Sequence, residues 1–347
     1  MQIALYDSQY GYYSSGARRT GWRGHFITSP ELDPSFGALW SNAFREVWIA
    51  CGSPGEFEIV EIGPGEGGFA HAVLDAIDPE FAAAVTYRLV ERVPTVRDRQ
   101  RERLENRGRV VWSESITELP DIANGCVFAN EVLDNLPVHL VEVRDGALNE
   151  LCVEEEDGEL VLVGREPSNP ELLAFLERTG TKLAEGERME VTLAGESLIA
   201  RVAQRLGAGA LVFVDYGLDA QEIARRGGTL VTYSASGADT DVLADPGDRD
   251  ITAHANWTST ADALRRNGMT PTDRHTQRDV LIALGAKSLD GSFKQGYSEA
   301  ISEGRGADAV ASLSRRQALG ALLDRGGLGG LQVMAGLKEI SALSFLP

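Results

Sequence analysis

Cysteine is scarce in this chain of 347 residues. The three present, Cys51, Cys126 and Cys152, are scattered, with no CxxC pair and no histidine at ligand spacing. That argues against a disulfide framework and against a zinc site. No metal of any kind is expected, because no cluster of histidines and carboxylates stands out. Long hydrophobic runs are missing too, and none approaches the ~18 to 20 residues of a membrane-spanning helix, so a membrane partner is not expected. The opening MQIALYDSQYGYY carries no basic stretch and meets Asp7 before an apolar signal core could form. A cytoplasmic address is the expectation. Positive charge is short: 33 Lys and Arg face 52 Asp and Glu, for a formal charge of −19. Such a surface repels phosphate backbones, which argues against nucleic acid and favours cationic ligands. No internal repeat at a solenoid or propeller period is present.

What is there is a globular composition, 43% apolar and 24% charged, sized for one large domain or two ordinary ones. From residue 57 short β-branched runs alternate with amphipathic stretches, as in a parallel sheet with crossover helices. FEIVEI (57–62), TYRLVE (86–91), RVVW (109–112) and CVFAN (126–130) read as its first four strands. After Pro137 the runs 138–144, 148–154 and 159–163 are separated by Asp145-Gly146 and Asp157-Gly158, both hairpin dipeptides, which predicts a three-stranded antiparallel insertion. A helical region follows, with Leu198, Val202 and Leu206 on one face, and ALVFVDY (210–216) returns as a buried strand. Residues 237–250 read as a loop. A short strand near 250–254, helices at 258–267 and 278–284, a polar helical stretch to about 325 and a strand near 330–337 complete the chain.

The segment EIGPGEGG (61–68) lies between a strand and a helix, and Gly63, Gly65 and Gly68 satisfy G-x-G-x-x-G. Glu91 ends the next strand 23 residues after Gly68, close to the interval of a ribose-binding acid. A dinucleotide and S-adenosylmethionine (SAM) both fit that pattern. Electrostatics favours SAM, because Glu61 and Glu66 flank the loop with no Lys or Arg between Arg45 and Arg88. Two carboxylates would repel a pyrophosphate, whereas either could accept a hydrogen bond from the ammonium of SAM. Ser113 to Ile116, past the third strand, would then lie beside the adenine. At the carboxyl end of the fourth strand, where ligands bind in open α/β sheets, stands ANEVLDNLPV (129–138). If a helical turn follows, Glu131 and Asp134 share a face and can hold a guanidinium through paired hydrogen bonds. The plainer reading is that Asn130 and Asp134 cap and order the loop before Pro137.

Seven blocks in order resemble the MidA-like methyltransferases, a family whose mitochondrial member is a complex I assembly factor. They are LYDSQYGYY (5–13), GHFITSPELDPSFG (24–37), VEIGPGEGGFA (60–70), ANEVLDNLPV (129–138), VDYG (214–217), PGDRDITAH (246–254) and QVMAGLK (332–338). The resemblance implies a Rossmann-like class I methyltransferase fold, α/β, with a mostly parallel seven-stranded sheet, helices on both faces, an antiparallel β insertion and extra helices. It implies SAM as cofactor, S-adenosylhomocysteine (SAH) as product, and methylation of a protein arginine.

The resulting expectations are specific. Residues 1–50 form an N-terminal lid segment, 51–137 and 206–347 the SAM-binding core, and 138–205 a cap for substrate or partner. Cofactor contacts fall to Glu61, Gly63, Pro64, Gly65, Gly67, Glu91, Ser115, Ile116 and Asn130, with Phe26 and Thr28 from a segment that the resemblance implies folds over SAM. That segment also reads as a helix start, with Ser29 capping and Pro30 in the first turn. Catalytic roles fall to Glu131, Asp134 and Asn130, while His254 and Tyr216 read as structural. The expected partner is a protein with an accessible arginine or a small-molecule acceptor; the sequence leaves the oligomeric state open, a homodimer included. His25, Val231 and Ser236 depart from the family's usual Asp, Arg and His, which leaves the acceptor as the open variable. Two other classes stay open: a SAM-binding assembly protein without chemistry, and an NAD-dependent oxidoreductase, which the paired glutamates disfavour.

Overall fold

The computed structural model describes residues 1–14, 28–234 and 237–346. Its first nine strands are β1 (Phe57–Ile62), β2 (Val85–Val90), β3 (Arg109–Ser113), β4 (Ile122–Asn130), β5 (His139–Arg144), β6 (Ala147–Glu156), β7 (Glu159–Arg165), β8 (Arg188–Val191) and β9 (Leu206–Asp215). The chain forms two units. One comprises Thr20–Asn130, Arg205–Val214 and Thr270–Pro347, and the other Met1–Arg19, Glu131–Gln204 and Asp215–Met269.

The first, the sheet unit, is built on an eight-stranded sheet in which β9, β4, β1, β2 and β3 lie side by side and parallel. The final strand, Gln332–Lys338, joins beside β9 and pairs antiparallel with the two-residue strands Thr270–Pro271 and His275–Thr276. Those short strands raise the number above the expected seven. Five of the six residues of β1 are buried, as a strand covered on both faces must be. Because the chain runs outward from β1 to β3 and then returns to β4 on the other side of β1, the strand order reverses between β1 and β4. Ligands of open α/β sheets bind at the carboxyl ends of strands at such a reversal.

Helix Ser35–Ala50 supplies the sheet unit's aromatic core, with Phe36, Trp40 and Phe44 recurring every four residues on its buried face. Phe69, on the helix after the glycine loop, stacks on Phe128 of β4 at 4.8 Å and 14°. Trp40 lies 4.6 Å from the same Phe128. At Gly37 a Cβ would come within 2.6 Å of Ala72, so only glycine lets these two helices approach. The helix start expected at Ser29 begins one residue earlier: Thr28 is the N-cap, and the Ser29 hydroxyl bonds the side chain of Gln277.

In the second, the meander unit, β7, β6, β5 and β8 form a four-stranded antiparallel sheet. The predicted three-stranded insertion thus gains β8. Both hairpin turns place Asp then Gly at positive φ (Asp145 54°, Gly146 72°; Asp157 52°, Gly158 88°), as a two-residue type I′ turn demands. Val141, Phe175, Met189, Val191 and Ile223 pack into this unit's core. Two expectations need correction. Leu206 is the first residue of β9 and not part of helix Leu193–Arg205, and the loop predicted at 237–250 contains a strand, Gly237–Asp239, paired with Val231–Ser234. Among the described residues no helix is long and apolar enough to cross a membrane.

Phe128 is 1% exposed and touches three aromatic neighbours, so truncation leaves a cavity that rigid helices cannot fill. Phe128→Ala is expected to cost ~3–5 kcal/mol. Urea unfolding should show a lowered midpoint with an unchanged slope.

Candidate functional site

The glycine loop follows β1 directly. Gly63, Gly65 and Gly67 all have positive φ (68°, 50° and 75°), and Gly67 caps helix Gly68–Ala76. A Cβ on Gly65 would meet nothing within 4 Å, so the loop presents bare backbone to open space, a cradle suited to close approach by a ligand. What holds the loop was not foreseen. Gln100, fully buried on helix Pro94–Arg103, donates to the Gly65 carbonyl at 2.7 Å and accepts from the Trp112 indole of β3 at 2.9 Å.

The charge pattern of the loop also differs from expectation. Glu66 is clamped by Arg99 through two hydrogen bonds of 2.9 and 2.8 Å. The cation absent from the neighbouring sequence therefore arrives from a helix that follows β2. Glu61 is 5% exposed and accepts from the Tyr87 hydroxyl at 2.7 Å. Burial raises its carboxyl to about 7, with the Tyr87 bond pulling the other way. Two free carboxylates do not face a ligand here, and the electrostatic case for SAM over a dinucleotide is weaker than the sequence suggested.

Glu91 follows β2, its amide bonded to the Ser113 carbonyl at 3.0 Å and its carboxylate accepting from Val93 N–H at 2.8 Å. Burial raises its pKa. The Ser113 contact brings Glu91 beside the segment leading to Ser115 and to Ile116, where a short 3-10 turn starts. Thr28 bonds Glu31 at 3.3 Å. Phe26, His25 and Ser236 lie outside the described residues. Asn130 ends β4, in register with Val214.

The meander unit holds the acidic residues that follow Asn130. No helical turn carries them: residues 131–136 form a turn that starts with Glu131 at φ 50°, a left-handed conformation uncommon outside glycine, asparagine and aspartate. The turn is ordered by Asp215, which accepts from Leu133 N–H (2.9 Å), Asp134 N–H (3.3 Å) and Tyr216 N–H (2.9 Å). Asp134 is 4% exposed, and its Oδ2 accepts from the Tyr216 hydroxyl at 2.6 Å. Asp250 accepts from the Tyr13 hydroxyl at 2.9 Å and from Asn135 at 3.0 Å.

Of these three buried aspartates, Asp215 and Asp250 have both oxygens engaged, whereas Oδ1 of Asp134 has no hydrogen-bond partner among the described residues. Burial raises the pKa of all three, most strongly Asp215, against which the Asp134 and Glu131 carboxylates also act. Asp215, Tyr216, Asp250 and Tyr13 were not among the predicted site residues, though each falls in a block that carries the family resemblance. His254 packs edge-on against Tyr216 at 5.1 Å, and its pKa is lowered by burial.

A reversed parallel sheet, a bare glycine loop after its first strand and an acid after its second define an α/β protein that binds a nucleoside-bearing cofactor. The chain belongs to the family described as "Putative S-adenosyl-L-methionine-dependent methyltransferase", whose model matches residues 39–273. It is 26% identical over 294 residues to the mitochondrial protein arginine methyltransferase NDUFAF7 of Xenopus laevis, covering 74% of this chain and 63% of that protein. To the human protein of that name it is 27% identical over 288 residues, covering 74% and 62%. The chain thus spans less than two thirds of these relatives' length. A solved structure from Burkholderia thailandensis bound to S-adenosyl-homocysteine matches with a TM-score of 0.84 at 28% identity, over 99% of this chain and 88% of that one. The cofactor of the family is SAM, and the bare backbone at Gly65 and the acid that follows β2, Glu91, are compatible with it. The cytoplasmic address expected from the N-terminus is overturned by the relatives, which are named as mitochondrial proteins.

Two measurements test this site. Glu91→Ala is expected to weaken SAH binding about tenfold to a hundredfold by isothermal titration, since it removes charge-assisted hydrogen bonds to the ribose. Unchanged affinity would remove Glu91 from the site. For Glu61, a carboxyl raised from its ordinary 4.5 to about 7 contributes stability that is intact below 4.5 and lost as pH climbs through 7. Glu61→Gln stays neutral and still accepts from Tyr87. By calorimetry without ligand it should gain ~1–3 kcal/mol on the wild type near pH 8.5 and almost nothing near pH 4.5.

Proposed function

We propose that this protein transfers a methyl group from SAM to an arginine of a partner protein. The observation that carries the acceptor is Asp134: a buried aspartate with one oxygen tied to Tyr216 and the other, Oδ1, lacking a partner among the described residues. An unsatisfied buried carboxylate oxygen is costly, and a guanidinium N–H satisfies it with a charge-assisted bond. Glu131, one residue after the end of β4, is the second carboxylate of this reading, and two carboxylates suit the planar fork of arginine better than a lysine ammonium. Relatives named as protein arginine methyltransferases support the same acceptor.

When bound, SAM supplies a methyl carbon carried on a cationic sulfur. The chain's own contribution is positioning. The Gly63–Gly67 backbone and Glu91 hold the cofactor, and Ser115 and Ile116 flank its adenine. Asp134 and Glu131 accept guanidinium N–H groups and so aim one nitrogen. Tyr216 keeps Asp134 from rotating, and Asp215 keeps the turn in place.

The test follows SAH production with an arginine-containing peptide. Asp134→Asn is expected to lower kcat/KM about a hundredfold and Glu131→Gln about tenfold, with SAH affinity unchanged. Because burial holds the Asp134 pKa above the ordinary carboxylate range, activity should rise as pH increases and that proton is lost. Full turnover in Asp134→Asn would sink the assignment. Val231, in strand Val231–Ser234 where the family usually has Arg, motivates a small-molecule acceptor as the second reading. Turnover with free guanidines or amines and none with peptides would favour it. Tight SAM binding with no SAH from any acceptor would point to an assembly protein.

A further inference from the structure

Strand β7 is an edge: it pairs with β6 on one side, and no described strand pairs with it on the other. Natural edges are blunted with lysine, proline or a bulge. The sequence of β7, Glu-Leu-Val-Leu-Val-Gly-Arg, has neither lysine nor proline, and its register against β6 runs unbroken from Glu159 to Arg165. Leu160 and Leu162 are 41% and 36% exposed, and Val153, directly across from Leu162 on β6, is 53% exposed. These three side chains share one face and form a contiguous apolar patch beside an open row of backbone groups. In the two-residue Asp157-Gly158 hairpin, the flanking residues Glu156 and Glu159 form the hydrogen-bonded pair, so Leu160, Leu162 and Gly164 turn their N–H and C=O groups outward.

We propose that β7 pairs antiparallel with β7 of a second copy, about a two-fold axis at Leu162, joining two meander sheets into one. The strand is complementary to itself in this register alone. Glu159 of each copy falls opposite Arg165 of the other, giving two cross-strand ion pairs. Val161 falls opposite Val163, and Leu160 opposite Gly164, a large side chain over the position that has none. Within one chain Glu159 sits across from Glu156, a like-charge pair that Arg165 of the second copy offsets. Arg165 already spans Glu154 with two bonds, at 2.7 and 2.8 Å, which fixes its side chain along the strand while leaving it 57% exposed. The two-fold makes the contact isologous, so it closes at two copies and does not run on into a fibre. A contact of one strand is small, and the dimer is accordingly a micromolar one.

Sedimentation velocity of the full chain from low to several hundred micromolar tests this. The weight-average mass should rise from 37.4 kDa toward twice that value, and Leu162→Lys should hold it at the monomer. Glu159→Arg and Arg165→Glu each place like charges opposite one another, and each should weaken self-association about tenfold or more. Mixed in equal amounts, the two variants regain both ion pairs in a heterodimer, so the mixture should associate at least as tightly as the wild type. Circular dichroism of each variant establishes that it is folded. A wild type that stays monomeric throughout, or a mixture that associates no better than its components, overturns the proposal. The first result would leave the edge for a strand of some other protein.

Discussion

A buried carboxylate, Asp215, is the fixed point on which the acidic part of this protein depends. Taking a carboxylate out of water costs several kcal/mol unless hydrogen bonds satisfy it. Here three backbone N–H groups do so, from Leu133, Asp134 and Tyr216. The exchange is mutual, because the Leu133 and Asp134 amides belong to a turn that makes no helix and would otherwise be left without acceptors. With Leu133 and Asp134 pinned, Glu131 is held at positive φ, which costs ~1–3 kcal/mol and persists only where the surroundings enforce it. The Asp134 side chain can then meet the hydroxyl of Tyr216, the residue next to Asp215 in the chain. A strand end, a turn and a tyrosine thus fix one another, and Oδ1 of Asp134 is left without a hydrogen-bond partner among the described residues.

The glycine loop meets a similar need by other means. Its glycines adopt left-handed conformations that leave the backbone bare, and bare backbone holds its shape only if something else grips it. Gln100 does this with a neutral amide, donating to the loop and accepting from β3. A neutral clamp adds no charge beside the ligand. The ion pair of Arg99 with Glu66 at the loop is internally balanced. The loop is therefore gripped without a net charge from its clamps, whereas the turn after β4 is ordered around carboxylates.

The scaffold was largely legible in the sequence. Apolar runs gave β1 to β4 and β9, and Asp-Gly dipeptides gave both hairpins, because these signals are local and each follows from one periodicity or one turn geometry. What holds the site was not legible, for a physical reason. Gln100, Arg97 and Arg99 lie on a helix whose sequence, PTVRDRQRER, reads as a solvated surface, yet Gln100 is fully buried and Arg97 nearly so. The partners of Gln100 and Arg99 lie far away along the chain: Gly65 is 35 residues from Gln100, and Glu66 is 33 from Arg99. Hydrophobic patterning does not register polar residues buried by partners of this kind. Asp250 and Asn135 meet across 115 residues, and their spacing in sequence says nothing of it. The helical turn that would have put Glu131 and Asp134 on one face was a reasonable inference from spacing, and it failed because Asp215 imposes another geometry.

The acidic cluster also bears on why a cation is the natural occupant. Asp134, Asp215 and Asp250 all hold their protons more tightly than an exposed carboxyl would, chiefly through burial. Ionising them without a counter-charge is therefore costly, and a chain with a formal charge of −19 has few cations of its own to spare. No lysine or arginine bonds to any of the three in the hydrogen bonds described above, and tyrosines and backbone amides serve in their place. A guanidinium arriving at Asp134 would favour the ionised form and draw down the pKa values of its neighbours. Selectivity follows from the same arrangement: a neutral ligand of the same shape would leave the cost of ionising Asp134 unrelieved, and an anion would add to it.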